Sequence, residues 1–167
     1  AYVNGHFVNL SGANVYRGFC RVKNGTDVVD DLVNPLHIGM DFNVDKMCAV
    51  IYQVTDGIIN IIDEITGVFD TPDMITEIHS RYEGRRINIY PDANDKNRNT
   101  AGAGVTDRIL LEDEHSFTVW ATEANPLIKD RVATVRGLVL NSRGRRRMRV
   151  NVRRCPELVR GLEQQVY

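Results

Sequence analysis

The sequence is poor in several things, and each shortage excludes a class of protein. No apolar stretch approaches the roughly 20 residues that cross a bilayer, and no signal peptide is visible. Cysteine occurs three times, at Cys20, Cys48 and Cys155, widely spaced and without a CxxC pair. That count and spacing exclude a disulfide framework and point to a reducing compartment. No phosphate-cradling G-x-x-x-x-G-K-[ST] loop is present, so the chain carries no P-loop ATPase. Repeats and low-complexity tracts are also lacking. What remains is 167 residues at 43% hydrophobic content, enough for one domain with a proper core. The chain starts at Ala1 rather than Met and reaches Tyr167 through a helical pattern, which predicts a domain excised from a longer protein.

The net charge of -1 conceals an asymmetry. Residues 128–160 hold 11 Lys/Arg against Asp130 and Glu157, leaving the rest of the chain strongly acidic. Such a field attracts polyanions. Arginine dominates the run, and its planar fork suits phosphate oxygens. No aromatic residues interleave with these arginines, so the segment offers no stacking platform for single strands.

Residues 1–34 read as an irregular lead-in, packed on the domain or joining it to an upstream one, with a turn at Asn24-Gly25. Residues 35–167 read as the domain proper. Three strands come first: Leu36 to Phe42, Met47 to Val54 and Ile58 to Ile65, the last two joined by a hairpin turn at Asp56-Gly57. Their near-continuous apolar character predicts a sheet covered on both faces. Thr71-Pro72-Asp73 then opens a helix to about Tyr82, with Thr71 as its cap and Gly84 as its stop. A fourth strand runs from Arg86 to Asp92. After a polar loop come a helix at 106–113, a strand at 117–120, a helix from Asn125-Pro126 to about Asn141, a strand at 147–152, and a last helix from Cys155-Pro156 to Gln164. Three antiparallel-type strands followed by helix, strand, helix, strand, helix is the order of the ribonuclease H-like fold, a mixed central sheet flanked by helices. In that α/β architecture the first strand is central and the fourth lies beside it, so their ends meet.

Those two ends carry acids. In Leu36-His37-Ile38-Gly39-Met40-Asp41, the apolar residues take one face and Asp41 falls on the other. Ile87-Asn88-Ile89-Tyr90-Pro91-Asp92 repeats the pattern. A carboxylate at the end of a buried strand needs a partner, and a hard cation is one. Two divalent ions about 3.5–4 Å apart neutralise a phosphodiester transition state and activate water. The pair therefore predicts a metal-dependent phosphodiesterase, with Asp41 bridging the ions and Asp92 holding one. Asp45, in the turn after Asp41, is a weaker third candidate. Asp63 and Glu64 point to opposite faces of one strand, so at most one faces the site. Asp95 reads as solvated, and His37, His79 and His115 lack ligand spacing.

At this point the motifs resemble a known family. His37-Ile38-Gly39-Met40-Asp41-Phe42-Asn43 is similar to the first-strand motif of the nuclease domain of tailed-phage large terminases. Ile89-Tyr90-Pro91-Asp92-Ala93 resembles their second acidic motif. Asp130-Arg131-Val132-Ala133-Thr134-Val135-Arg136 looks like their D-R-[IV] helix, and Cys155-Pro156-Glu157-Leu158 like the stretch after their β-hairpin. The resemblance covers most of the chain from Leu36 onward. It implies an endonuclease that cuts concatemeric viral DNA during genome packaging, using two Mg²⁺ or Mn²⁺ ions. It implies duplex DNA, an upstream ATPase domain, the portal and the small terminase subunit as partners. It further implies a monomeric domain working in the host bacterial cytoplasm. A basic β-hairpin near the C-terminus would place Arg143, Arg145, Arg146, Arg147, Arg149 and Arg153 on DNA. A third catalytic aspartate would follow the final helix, at a point beyond Tyr167. The competing readings are another nuclease of the same fold (resolvase or integrase type), a duplex-binding module without catalysis, and an actin-like nucleotide binder, for which the chain is too short.

Overall fold

The computed structural model describes residues 2–3, 6–7, 14–42, 46–93 and 106–166. Two short strands, β1 (Tyr2–Val3) and β2 (His6–Phe7), pair antiparallel. The other strands form one mixed seven-stranded sheet: β3 (Gly25–Thr26), β4 (Leu36–Asp41), β5 (Met47–Thr55), β6 (Ile58–Val68), β7 (Ile87–Pro91), β8 (Phe117–Val119) and β9 (Met148–Asn151). Their order across the sheet is β3-β9-β6-β5-β4-β7-β8. Five helices complete the chain: α1 (Arg21–Asn24), α2 (Thr71–Tyr82), α3 (Asp107–Glu112), α4 (Ile128–Val139) and α5 (Pro156–Gln164). The strand and helix order expected from the sequence is the observed one, with β4 between β5 and β7.

The chain divides into two compact units. The first comprises Ala1–Val29, Val54–Ile62 and Pro126–Tyr167, the second Asp30–Gln53 and Asp63–Asn125.

In the second unit, β4 pairs antiparallel with β5 and parallel with β7, and β7 parallel with β8. Burial alternates along β4, β5 and β7. Leu36, Ile38, Met40, Met47, Ala49, Ile51, Ile87 and Ile89 are all buried. Met74, Ile75, Ile78 and Tyr82 of α2 recur at helical spacing and are buried as well. Each such side chain contributes about 2 kcal/mol to stability. The expectation of a sheet covered on both faces holds in full only for β6, buried without interruption from Asn60 to Ile65. On β4, β5 and β7 the intervening residues are half-exposed. His37, Tyr52, Asn88 and Tyr90 lie there, amphipathic groups that tolerate partial solvation. The cap of α2 also differs from expectation by one residue. Asp70 accepts from Asp73 N at 2.9 Å, whereas the Thr71 hydroxyl donates to the buried Asp107 carboxylate of α3 at 2.8 Å.

In the first unit, the hairpin turn Asp56-Gly57 has both residues at positive φ (54° and 73°), the conformation a two-residue β-turn demands. β9 runs parallel to β6 on one side and to β3 on the other. The basic segment is therefore no hairpin: Ser142 to Arg147 turns out of α4, and β9 is a single strand between two parallel neighbours. The lead-in is likewise part of the sheet. Asn24 is fully buried and its amide donates to Val139 O (3.1 Å) and Met148 O (2.9 Å), which places β3 beside β9. A Cβ on Gly25 would lie 2.2 Å from Arg21 O, so this position accepts only glycine.

Candidate metal centre and basic surface

β4 and β7 are parallel, and Met40 stands opposite Pro91, both buried. One residue further along each strand come Asp41 and Asp92. Parallel register puts their side chains on the same face, opposite the core. The Asp92 amide donates to Met40 O at 3.0 Å, which carries the β4–β7 pairing to the strand ends. Neighbouring strands are about 4.8 Å apart. Two acids 51 positions apart in sequence thus share one edge of the second unit, as the sequence pattern requires. Asp41 is exposed and Asp92 half-exposed.

Asp41 stands opposite Cys48 of β5. Burial pushes the Cys48 thiol above its ordinary range, and the charges of Asp41 and Glu64 raise it further. Glu64, 9% exposed, thus acts electrostatically on the same thiol as Asp41. Its neighbour Asp63 is committed elsewhere: it accepts from the Tyr82 hydroxyl at 2.8 Å and from Arg81 Nη1 at 2.9 Å. Of the two adjacent acids, Glu64 is the one that raises the thiol standing opposite Asp41. Asp45 and Asp95 lie outside the described residues.

Asn125 joins the site without having been singled out in the sequence. Its amide donates to Asp92 Oδ1, and its carbonyl oxygen accepts from Ala93 N at 3.2 Å. The sequence marks this position only as the opening of a helix at Asn-Pro.

The histidines have other partners. His37 Nδ1 is hydrogen-bonded to the Tyr90 hydroxyl at 2.9 Å, and its ring stacks on Tyr52 and Tyr90 with centroids 5.1 and 5.8 Å away. Burial pushes its imidazole below the ordinary value. His79 pairs with Glu114 and stacks on Phe117. His115 is on the surface.

Among the described residues no group of three or more His, Cys, Asp or Glu side chains is arranged to hold a metal ion. The oxygen-only pair of Asp41 and Asp92 nevertheless matches what Mg²⁺ asks of a protein. That ion keeps several waters and is held by one or two carboxylates together with substrate phosphates.

The arginines belong to the first unit. Arg143, Arg145, Arg147, Arg149 and Arg153 are exposed. Arg153 has a loose ion pair with Asp27 at 3.7 Å, both groups in solvent. Arg146 departs from the expected role. Its Nη1 donates to Gly18 O and Asn24 Oδ1, both at 2.6 Å, and so braces the buried asparagine.

A mixed sheet with helices α2 to α5 following its first three long strands is the ribonuclease H-like fold. Solved structures with this fold include large terminases of bacteriophages and their nuclease domains. The chain superposes on the large terminase from a thermophilic bacteriophage, in complex with ATP-gamma-S, with a TM-score of 0.70 at 11% identity, covering 92% of this chain. It spans only 38% of that protein. The g2p large terminase nuclease domain of bacteriophage SPP1 with bound Mn matches at TM-score 0.59 and 16% identity, covering 87% of this chain and 80% of that one. The large terminase nuclease of thermophilic phage G20c with bound magnesium matches at 0.58 and 14%, covering 94% and 82%. At these identities the likeness is one of fold. No protein-family model and no curated protein matches the sequence. No helix among the described residues is long and apolar enough to cross a membrane.

Proposed function

We propose that this domain is a divalent-metal-dependent endonuclease that cuts duplex viral DNA during genome packaging. The observation that carries the proposal is the parallel register placing Asp41 and Asp92 on one face at adjacent strand ends. Asp41, exposed at the end of the central strand, holds cations from the sheet side, and Asp92 holds them from its neighbour. A bound Mg²⁺ or Mn²⁺ pair would supply neutralisation of the phosphate and a more acidic water. Glu64 adds negative potential to that edge and favours cation capture over an empty carboxylate pair. Asp45 is a further candidate for the same role. The exposed arginines, Arg143, Arg145, Arg147, Arg149 and Arg153, bind duplex phosphates without reading sequence. The metal-bound neighbours from SPP1 and G20c support this reading. So does the large terminase described with ATP-gamma-S, which extends well beyond the length this chain spans. On this reading an ATPase domain of the same polypeptide, the portal and the small terminase subunit are the working partners, in the host bacterial cytoplasm.

A second reading is favoured by one observation: only two ligand-type acids meet at the strand ends among the described residues. A duplex-binding module of the same fold would keep the arginines and lack cutting. Incubating the protein with supercoiled plasmid and Mn²⁺ or Mg²⁺ separates the two. The nuclease nicks and linearises the plasmid, chelation stops it, and Asp41→Ala or Asp92→Ala abolishes it. Retarded but intact plasmid in every condition selects the binding module.

A further inference from the structure

Asn125 sits where the chain returns to the end of β7. The approach is fixed in two places: Trp120 N donates to Ile89 O at 2.8 Å, and the Trp120 indole N–H donates to Asn88 Oδ1 at 3.0 Å. Five residues later the Asn125 side chain meets Asp92 and Ala93 together. Its amide nitrogen donates to Asp92 Oδ1, and its carbonyl oxygen accepts from Ala93 N at 3.2 Å. A carboxamide offers a donor and an acceptor in one plane. Here the two are used on a carboxylate and on the next peptide N–H, so the side chain spans the residue it orients. The peptide of Asp92 is itself tied to Met40 O. Backbone and carboxylate of Asp92 are thus each held by a separate hydrogen bond.

The partner is neutral, and that matters for a cation site. A lysine or arginine at 125 would orient Asp92 equally well but would cancel its charge and compete with a metal ion. An amide orients the carboxylate without itself neutralising it. Two other acids of this unit are held by cations instead. Asp63 is met by Arg81 and Asp30 by Arg85, whose Nε and Nη2 reach its two oxygens at 2.9 and 2.8 Å. Both of those acids are neutralised by the groups that hold them.

We infer that Asn125 is a positioning residue for the cation site: it holds the Asp92 carboxylate in the orientation that ligates a divalent ion. The inference rests on the reading of Asp41 and Asp92 as that site. Groups that orient metal-ligating side chains typically account for about 10–100-fold in affinity when removed.

Binding of Mn²⁺ to the full chain, measured by loss of the free ion's electron paramagnetic resonance signal, reports affinity without any turnover. Asn125→Leu and Asn125→Ala are expected to weaken binding by about 10-fold or more. Asn125 is exposed, so melting should fall by no more than about 3 °C, the equivalent of about 1 kcal/mol in a chain this size. The double variant Asp92→Asn/Asn125→Leu should bind no more weakly than Asp92→Asn alone, because the amide acts only through that carboxylate. Parent-like affinity in both Asn125 variants, with Asp41→Ala and Asp92→Ala losing the ion, overturns the inference and leaves the metal site standing. Full additivity in the double variant also overturns it. Failure of the parent to bind Mn²⁺ at all removes the site and the inference with it.

Discussion

The two units of the chain differ in the charged side chains they gather. The second unit has acids at the ends of β4 and β7, and two of its basic side chains, Arg81 and Arg85, are spent on Asp63 and Asp30. The first unit collects arginines, and Arg143, Arg145, Arg147, Arg149 and Arg153 among them are exposed. Acids gathered in one place and arginines in another set up local potentials that attract ions and polyanions of the opposite sign. On the proposed function, cation capture and bond breaking fall to one unit and grip on the phosphate backbone to the other. Arg146 is the informative exception, because its location in the basic run suggested DNA while its contacts are internal.

The largest effect should come from the acidic edge. Asp41→Ala or Asp92→Ala is expected to lower plasmid cleavage by about 100-fold or more, some 2.7 kcal/mol of barrier, with duplex binding retained in a gel-shift assay. Loss of binding alongside cleavage would break the division of labour. Next, replacing Arg143, Arg145, Arg147, Arg149 and Arg153 together by Gln should weaken duplex affinity and flatten its salt dependence. If all five touch phosphate, the slope of log affinity against log salt falls by about 4.5. Cleavage at saturating DNA should persist. An unchanged slope would show that these side chains do not contact DNA.

A smaller effect separates Arg146 from its neighbours. Arg146→Ala should destabilise the fold by about 1–3 kcal/mol, since it strips a charged donor from the buried Asn24, whereas Arg149→Ala should leave denaturant unfolding within about 0.5 kcal/mol of the parent. Equal effects on stability would contradict the distinction. Smallest of all is an acid-range effect at Asp31. Hydrogen bonds from Asn34 and Val33 pull its carboxyl down to about 2 from 3.8. A lowered folded value means stability present above pH ~4 and lost as the pH falls toward 2. The group is solvent-exposed, so screening keeps the contribution small. Asp31→Ala should slightly flatten the acid-unfolding curve in that window and nowhere else.

Much of this was legible in the sequence, for physical reasons that also explain what was not. Alternation of period two exposes β4 and β7 and puts Asp41 and Asp92 on the solvent side of their strands. The positive-φ turn at Asp56-Gly57 announces its hairpin. The parallel pairing of β9 leaves no such mark, because its partners β6 and β3 lie roughly 90 and 125 positions away. A strand pattern reveals alternation and not the neighbour. β3 is two residues long, too short for any period to register. Asn125 and Arg146 act through side-chain contacts with residues far away in sequence, and residue type alone gives no hint of them. Glu64 and Asp63 were indistinguishable until the position of α2 assigned Asp63 to Tyr82 and Arg81.

Crystals of the protein soaked in Mn²⁺ and measured at the manganese absorption edge give the most direct test. The account predicts an anomalous peak within coordination distance, about 2.1–2.2 Å, of carboxylate oxygens from both Asp41 and Asp92. A peak bound by other residues, or none at that edge in ion concentrations that support cleavage, would contradict it.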